Sequence, residues 1–182
     1  KDATSIIFTQ DVGLEIHIID FYSNSGEGLP HYVRVLQNKG YIYGRHNAPH
    51  DIAVKELGTG KTRREAAAGL GLHFEVVPNI GFIDGVDMAR VVLSKCYFDE
   101  KKTTRLVRAL RTYRKEWDEN LGKFKDNPLQ DSSADPADSF RMLAVGHKDI
   151  VQLGEYDEEE EELMRIKDNE ANEQSIDPFN PF

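Results

Sequence analysis

The sequence predicts an α/β domain: a mixed sheet flanked by helices, followed by an acidic tail expected to be disordered. Three observations carry that expectation. Two runs rich in β-branched and aromatic residues open the chain, joined by the turn Asp11-Val12-Gly13. Beyond them, short strand-like runs alternate with segments of helical period. Near the end, Asp157 to Glu162 is six consecutive acids, a composition that stays solvated.

Residues 4–10 and 14–22, the latter with Ile16, Ile18 and Phe21, form an antiparallel hairpin in this reading. Leu29, Tyr32, Val33 and Leu36 predict a helix over 29–38, stopped by Gly40. Tyr41 to Tyr43 is the next strand, leaving through Pro49, His50 and Asp51. Thr62 and Glu65 have the spacing of a capping box, so a helix runs from there to Leu70. A strand over 74–77 ends at Pro78, and Val86, Ala89, Val92 and Leu93 predict a helix over 85–95. Residues 101–119 read as the longest helix, with Leu106, Leu110, Tyr113 and Trp117 on one stripe. A polar turn from Pro128 leads to a last helix that shows Ala137, Phe140 and Ala144 to a core, with Leu143 alongside.

At 182 residues and 39% hydrophobic, one domain with a real core is expected, over residues 1–149, with the tail at 150–182. Lys1 stands where a Met would open a gene product, so a fragment or processed chain is expected. No apolar run has the length of a membrane span and no signal-peptide pattern opens the chain. Cys96 is the sole cysteine, which excludes an internal disulfide and a multi-cysteine zinc site and makes a reducing cytosol the simplest home. The stretch Glu155 to Asp177 holds eleven acids against two bases and so carries the entire net charge of −9. The remainder is neutral, and the overall acidity therefore does not argue against a nucleic-acid partner.

Asp135 and Asp138 lie three apart at the start of the last helix, neighbours on its surface. Local chemistry reads Asp135 as the N-cap, Pro136 as the first helical residue and Asp138 as the capping-box acid. A carboxylate pair anchored on a packed helix also suits a metal. Both readings stand at this point. His50 and Asp51 close a strand, where sites of α/β sheets collect; a loop acid and a surface histidine in water are the plain alternatives. Gly58-Thr59-Gly60-Lys61-Thr62 is not a P-loop, because Lys55 occupies the position of the first glycine. Lys61, Arg63 and Arg64 there could meet phosphate. Between Lys95 and Lys125 ten bases face five acids. Lys101, Lys102 and Arg105 open a basic helical face, either a phosphate contact or an ordinary solvated surface.

Four pieces occur in one order: Ala48-Pro49-His50-Asp51, Gly58-Thr59-Gly60-Lys61-Thr62-Arg63, Asp84-Gly85-Val86-Asp87-Met88-Ala89-Arg90 and Ala137-Asp138-Ser139-Phe140-Arg141. With Asp2-Ala3-Thr4-Ser5-Ile6 ahead of them, the set resembles the nuclease domain of the large terminase subunit of tailed bacteriophages, over roughly residues 1–147. No piece is specific alone; the ordered set is. The resemblance implies an RNase H-like fold and cleavage of concatemeric double-stranded viral DNA by two Mg²⁺ or Mn²⁺ ions. It implies Asp51 and Asp138 as metal ligands, Asp135 as a further ligand or a cap, and His50 as a metal neighbour or proton shuttle. It implies DNA contact through Lys61, Arg63, Lys101, Lys102 and Arg105. The packaging ATPase would be a separate, preceding domain. Implied partners are the portal protein and the small terminase subunit, with no membrane. The implied place is the host cytoplasm, at the procapsid portal during packaging.

Two departures touch fine mechanism. Asp135 stands where the family often has histidine, and Gln130 replaces a histidine common before Asp131. The family's first catalytic aspartate lies on a strand ahead of its Asp-Ala-Thr stretch. That strand is expected upstream of Lys1, leaving Asp2 as a secondary acid or a turn residue; the competing reading makes Asp2 the first ligand. Two other classes remain open: a non-catalytic RNase H-like module that binds DNA or a portal-like partner, and an unrelated acidic α/β binding domain.

Overall fold

The structure, a computed structural model, describes residues 3–56 and 60–147. The chain divides into two units, Lys1–Gly146 and His147–Phe182, and every element below belongs to the first. Asp2, Gly58, Thr59 and the expected tail lie outside the described residues.

The opening hairpin forms as expected, from β1 (Ala3–Val12) and β2 (Glu15–Ser25), turning at Gly13 with φ +61°. A bulge between Phe8 and Thr9 shifts the register. A strand not foreseen, β5 (Cys96–Phe98), pairs parallel to β2 and makes the sheet mixed, in the order β1-β2-β5. Helix α1 (Leu29–Lys39) ends at Gly40, whose left-handed φ of +71° favours glycine. It buries Tyr32, Val33 and Leu36. Val33 and Leu36 join Phe8, Ala67 and Leu72 in one apolar cluster.

The strand expected at Tyr41 to Tyr43 is corrected. The alternation is right, since Ile42 is fully exposed while both tyrosine rings pack on Phe8. Among the described residues no neighbouring backbone pairs with it, however, and the ladder forms further on. There β3 (His46–Ala48) runs parallel to β4 (Phe74–Val76) as a separate two-stranded sheet. Between them α2 (Arg63–Gly69) carries the expected capping box, with Thr62 Oγ1 accepting from Glu65 N and the Glu65 carboxylate accepting from Thr62 N. Helix α3 (Phe82–Leu93) starts three residues earlier than the apolar period suggested.

The expected helix over 101–119 is the larger correction. Helix α4 (Thr104–Thr112) stops at Tyr113, whose backbone is extended. An antiparallel hairpin follows, β6 (Lys115–Asp118) and β7 (Lys123–Pro128). Gly122, at φ +60°, turns it, and the Asp118 carboxylate accepts from the backbone N–H groups of Asn120 and Leu121. Turn chemistry there outweighs the helical stripe.

Helix α5 (Ala134–Gly146) packs against α3, α4, β1 and β3. It buries Ala137, Phe140 and Ala144 as expected, and Phe140 stacks on Phe98 of β5. The predicted cap is corrected: the helix begins ahead of Asp135. Asp131 instead accepts from Ser133 N and Ser133 Oγ in the preceding turn. Hydrogen bonds from Ser133, the side chain foremost, hold the Asp131 carboxyl below the ordinary aspartate range.

The architecture is thus mixed α/β, with five α-helices and a mixed sheet among the described residues. There β1 pairs only with β2, and β3 only with β4, so each has an edge with no described strand beside it, and α5 bonds Ala3 N and Ser5 O at the start of β1. Helix α5 touches both strands.

Candidate functional site

His50 and Asp51 sit in a single turn of 3-10 helix, His50–Ala53, immediately past the C-terminal end of β3. Parallel strands expose functional side chains at that end. Both residues are exposed. The Asp51 carboxylate lies 3.8 Å from the Arg63 guanidinium at the start of α2. Arg63 Nε also approaches Glu56 at 3.4 Å. Arg63, read from sequence as a phosphate contact, therefore lies beside two carboxylates of its own chain. Lys61 is exposed next to it.

Asp138 lies on α5, 44% exposed, and accepts from Arg141 Nε at 3.3 Å. Arg141 is itself seated in a recess. Its guanidinium lies over the Phe82 ring at 5.3 Å. Its chain lies against Gly85, where a Cβ would meet Arg141 Cγ and Cδ at 3.1 Å. Glycine at position 85 is thus what leaves room for the arginine. Tyr113, at the end of α4, completes the group with a buried hydroxyl that has no hydrogen-bond partner among the described residues. Burial first, then the charge of Asp138, pushes its phenol up, against the opposing pull of Arg141.

Asp135 is engaged elsewhere. Its Oδ2 accepts from Ala3 N at 2.7 Å, and Ser139 Oγ donates to Ser5 O at 3.1 Å. These two bonds fix α5 to the start of β1. Asp135 is therefore a tie between helix and strand, which the sequence reading did not consider.

No group of three His, Cys, Asp or Glu side chains comes together among the described residues. Asp51 and Asp138 each face an arginine. The described residues alone do not fit a two-metal centre, because a bound cation needs converging oxygens rather than a neighbouring guanidinium. Of the other predicted DNA contacts, Lys101 and Lys102 follow Asp99, whose carboxylate accepts from both backbone N–H groups. The Lys102 ammonium donates to Tyr41 Oη at 3.1 Å. Arg105 is exposed on α4.

Sequence reasoning missed a further constellation. Asp20 of β2 is buried and accepts from Lys39 Nζ at 2.6 Å and from Tyr41 Oη at 3.2 Å. Through Tyr41 it reaches Lys102. Its only sequence signal is an acid amid the apolar run Ile18-Ile19-Asp20-Phe21. Among the described residues no helix is long and apolar enough to cross a membrane. Comparison with protein-family models, with curated proteins and with solved structures finds no match.

Proposed function

We propose that this chain is an RNase H-like nuclease domain of a viral terminase large subunit, cutting concatemeric double-stranded DNA by hydrolysis of phosphodiesters with Mg²⁺ or Mn²⁺. The observation that supports it best is the placement of the two motif acids. Asp51 follows the C-terminal end of a parallel strand, and Asp138 stands on the helix that packs on both β1 and β3. A further strand bearing a third carboxylate, paired to the open edge of β1 or β3, is required by this reading. Paired to both edges, it would join the two sheets into one and bring more oxygen ligands to Asp51 and Asp138. Portal protein and small terminase subunit are the proposed partners, at the procapsid in the host cytoplasm.

Asparagine substitution tests the acids. In the full-length protein with Mn²⁺ or Mg²⁺, Asp51→Asn and Asp138→Asn should each abolish plasmid cleavage while leaving the circular dichroism spectrum unchanged. Asparagine keeps the shape and loses the charge. A variant that cuts at the wild-type rate would remove that residue from the site.

One observation favours a second reading, a non-catalytic DNA- or portal-binding module of the same fold: both motif acids are already accompanied by arginines. Calorimetric titration of the full-length protein with Mn²⁺ separates the two. Saturable binding lost in both asparagine variants supports the nuclease, and its absence supports the binding module.

A further inference from the structure

The β6–β7 hairpin is built differently from the rest of the fold. Among the described residues it packs chiefly on itself. Trp117 and Phe124 are cross-strand partners whose rings meet edge to face at 4.9 Å, yet they remain 50% and 58% exposed. Leu121, in the connecting turn, is 66% exposed. Beside the pair, where the ladder's register shifts between Lys115 and Trp117, Glu116 is held by Lys125 at 2.7 Å. The acid at Asp118 is engaged by the turn. A cross-strand aromatic pair steadies the hairpin that carries it, and rings left half exposed there also offer flat apolar surface to a partner.

The element leading into it indicates the occupant. Helix α4 carries Arg105, Arg108 and Arg111 and no acid; all three are exposed, and their guanidinium groups make no ion pair or hydrogen bond to any described residue. Only Tyr113 and Arg114 separate its end from β6. Cations without partners followed by an aromatic platform form the pairing that single-stranded nucleic acid requires: phosphates meet guanidinium groups, and bases stack on rings. A blunt duplex offers phosphates along its length but exposes few base faces. A phospholipid or an acidic peptide would satisfy the arginines and leave the rings without flat partners.

We infer that the Trp117–Phe124 hairpin holds unpaired nucleotides at a DNA end, while the arginine face of α4 contacts the adjoining phosphates. The inference rests on the nucleic-acid reading above and extends it from duplex to end. It adds a sequence-tolerant contact, since every base has a stacking face.

Trp117 is the only tryptophan in the chain, so its emission reports the contact directly. The 182-residue chain would be titrated with oligothymidylate, with a blunt duplex, and with the same duplex ending in a few unpaired nucleotides. Binding would be followed in parallel by anisotropy of labelled DNA. Oligothymidylate and the frayed duplex should quench Trp117 saturably, and the blunt duplex should bind with little change in emission. The paired change Trp117→Ala and Phe124→Ala should weaken binding of the frayed duplex by about tenfold or more and leave blunt-duplex binding unchanged. Trp117→Leu, which keeps an apolar side chain on the strand, should show the same loss and guards against a hairpin that fails to form. Frayed-duplex binding with silent emission and no loss in either variant would overturn the inference and leave the nucleic-acid reading standing. Failure of all three DNAs to bind would overturn both. Emission that shifts with protein concentration and not with DNA would assign the face to a second copy of the chain and likewise overturn it.

Discussion

Asp20 shows how one residue can organise three segments. Its carboxylate is 4% exposed and gathers Lys39 from the end of α1, Tyr41 from the following loop and, on its other oxygen, the backbone N–H of Phe21. Lys39 in turn stands 5.4 Å from the centre of the Phe8 ring, so the ion pair lies against the apolar cluster. Asp20→Ala would leave a half-buried ammonium and a phenol without their acceptor. A loss of roughly 2–3 kcal/mol is expected, in the range for stranding buried polar groups. Urea unfolding followed by circular dichroism measures it, and a loss below about 0.5 kcal/mol, the scale of a surface substitution, would show that the network is incidental. The acid in an apolar strand was visible in the sequence. Its partners were not, because Lys39 and Tyr41 reach it only once α1 folds back on the sheet.

Elements were legible to different degrees. Helix α1 followed from a clean period and Gly40, and α2 from Thr62 and Glu65, since caps and stripes are local. The stretch after Thr112 was not legible by period, because Leu106, Leu110, Tyr113 and Trp117 fit a helix while Asp118, Asn120 and Gly122 fit a turn. Both are local signals, and the turn, together with the β6–β7 pairing it permits, outweighs the stripe. Helices α3 and α5 meet at one position that sequence marked only as part of a motif. Gly85→Ala would place a methyl 3.1 Å from Arg141, and the arginine must then give by a few tenths of an ångström against Phe82 and Asp138. A cost of roughly 1–3 kcal/mol is expected from overpacking, read as a lowered midpoint in thermal unfolding. Gly69→Ala, where nothing lies within 4 Å of the added carbon, is the control and should not reproduce it. Equal midpoints for the two variants would mean that the recess around Arg141 yields freely.

At the scale of the whole molecule, the edges of β1 and β3 that no other described strand pairs are the main fact. Unpaired strand edges exchange their outward amide protons readily and invite another strand. Alternate amides along the middle of β1 should therefore exchange fast in the isolated chain, while their neighbours bonded to β2 are protected. Hydrogen exchange read by NMR tests this. Extending the chain with a strand that pairs there should slow the fast set. Uniform protection of β1 in the isolated chain would show that its edge is already covered, and the strand required by the proposed nuclease would then have no place beside it.

The sequence by itself determined the α/β class, the opening hairpin, the helix boundaries set by Gly40 and by Thr62 with Glu65, the concentration of charge after Glu155, and the order of the motif acids. These are properties of neighbouring residues, and short-range chemistry suffices for them. Tertiary structure alone decided that β5 joins the first sheet, that β3 and β4 stand apart from it, and that Asp135 ties α5 to β1. It also decided that Asp51 lies beside Arg63. Each of these depends on groups that a folded backbone brings together across the chain, up to 132 positions apart for Asp135 and Ala3. Local propensity carries no information about such a pairing.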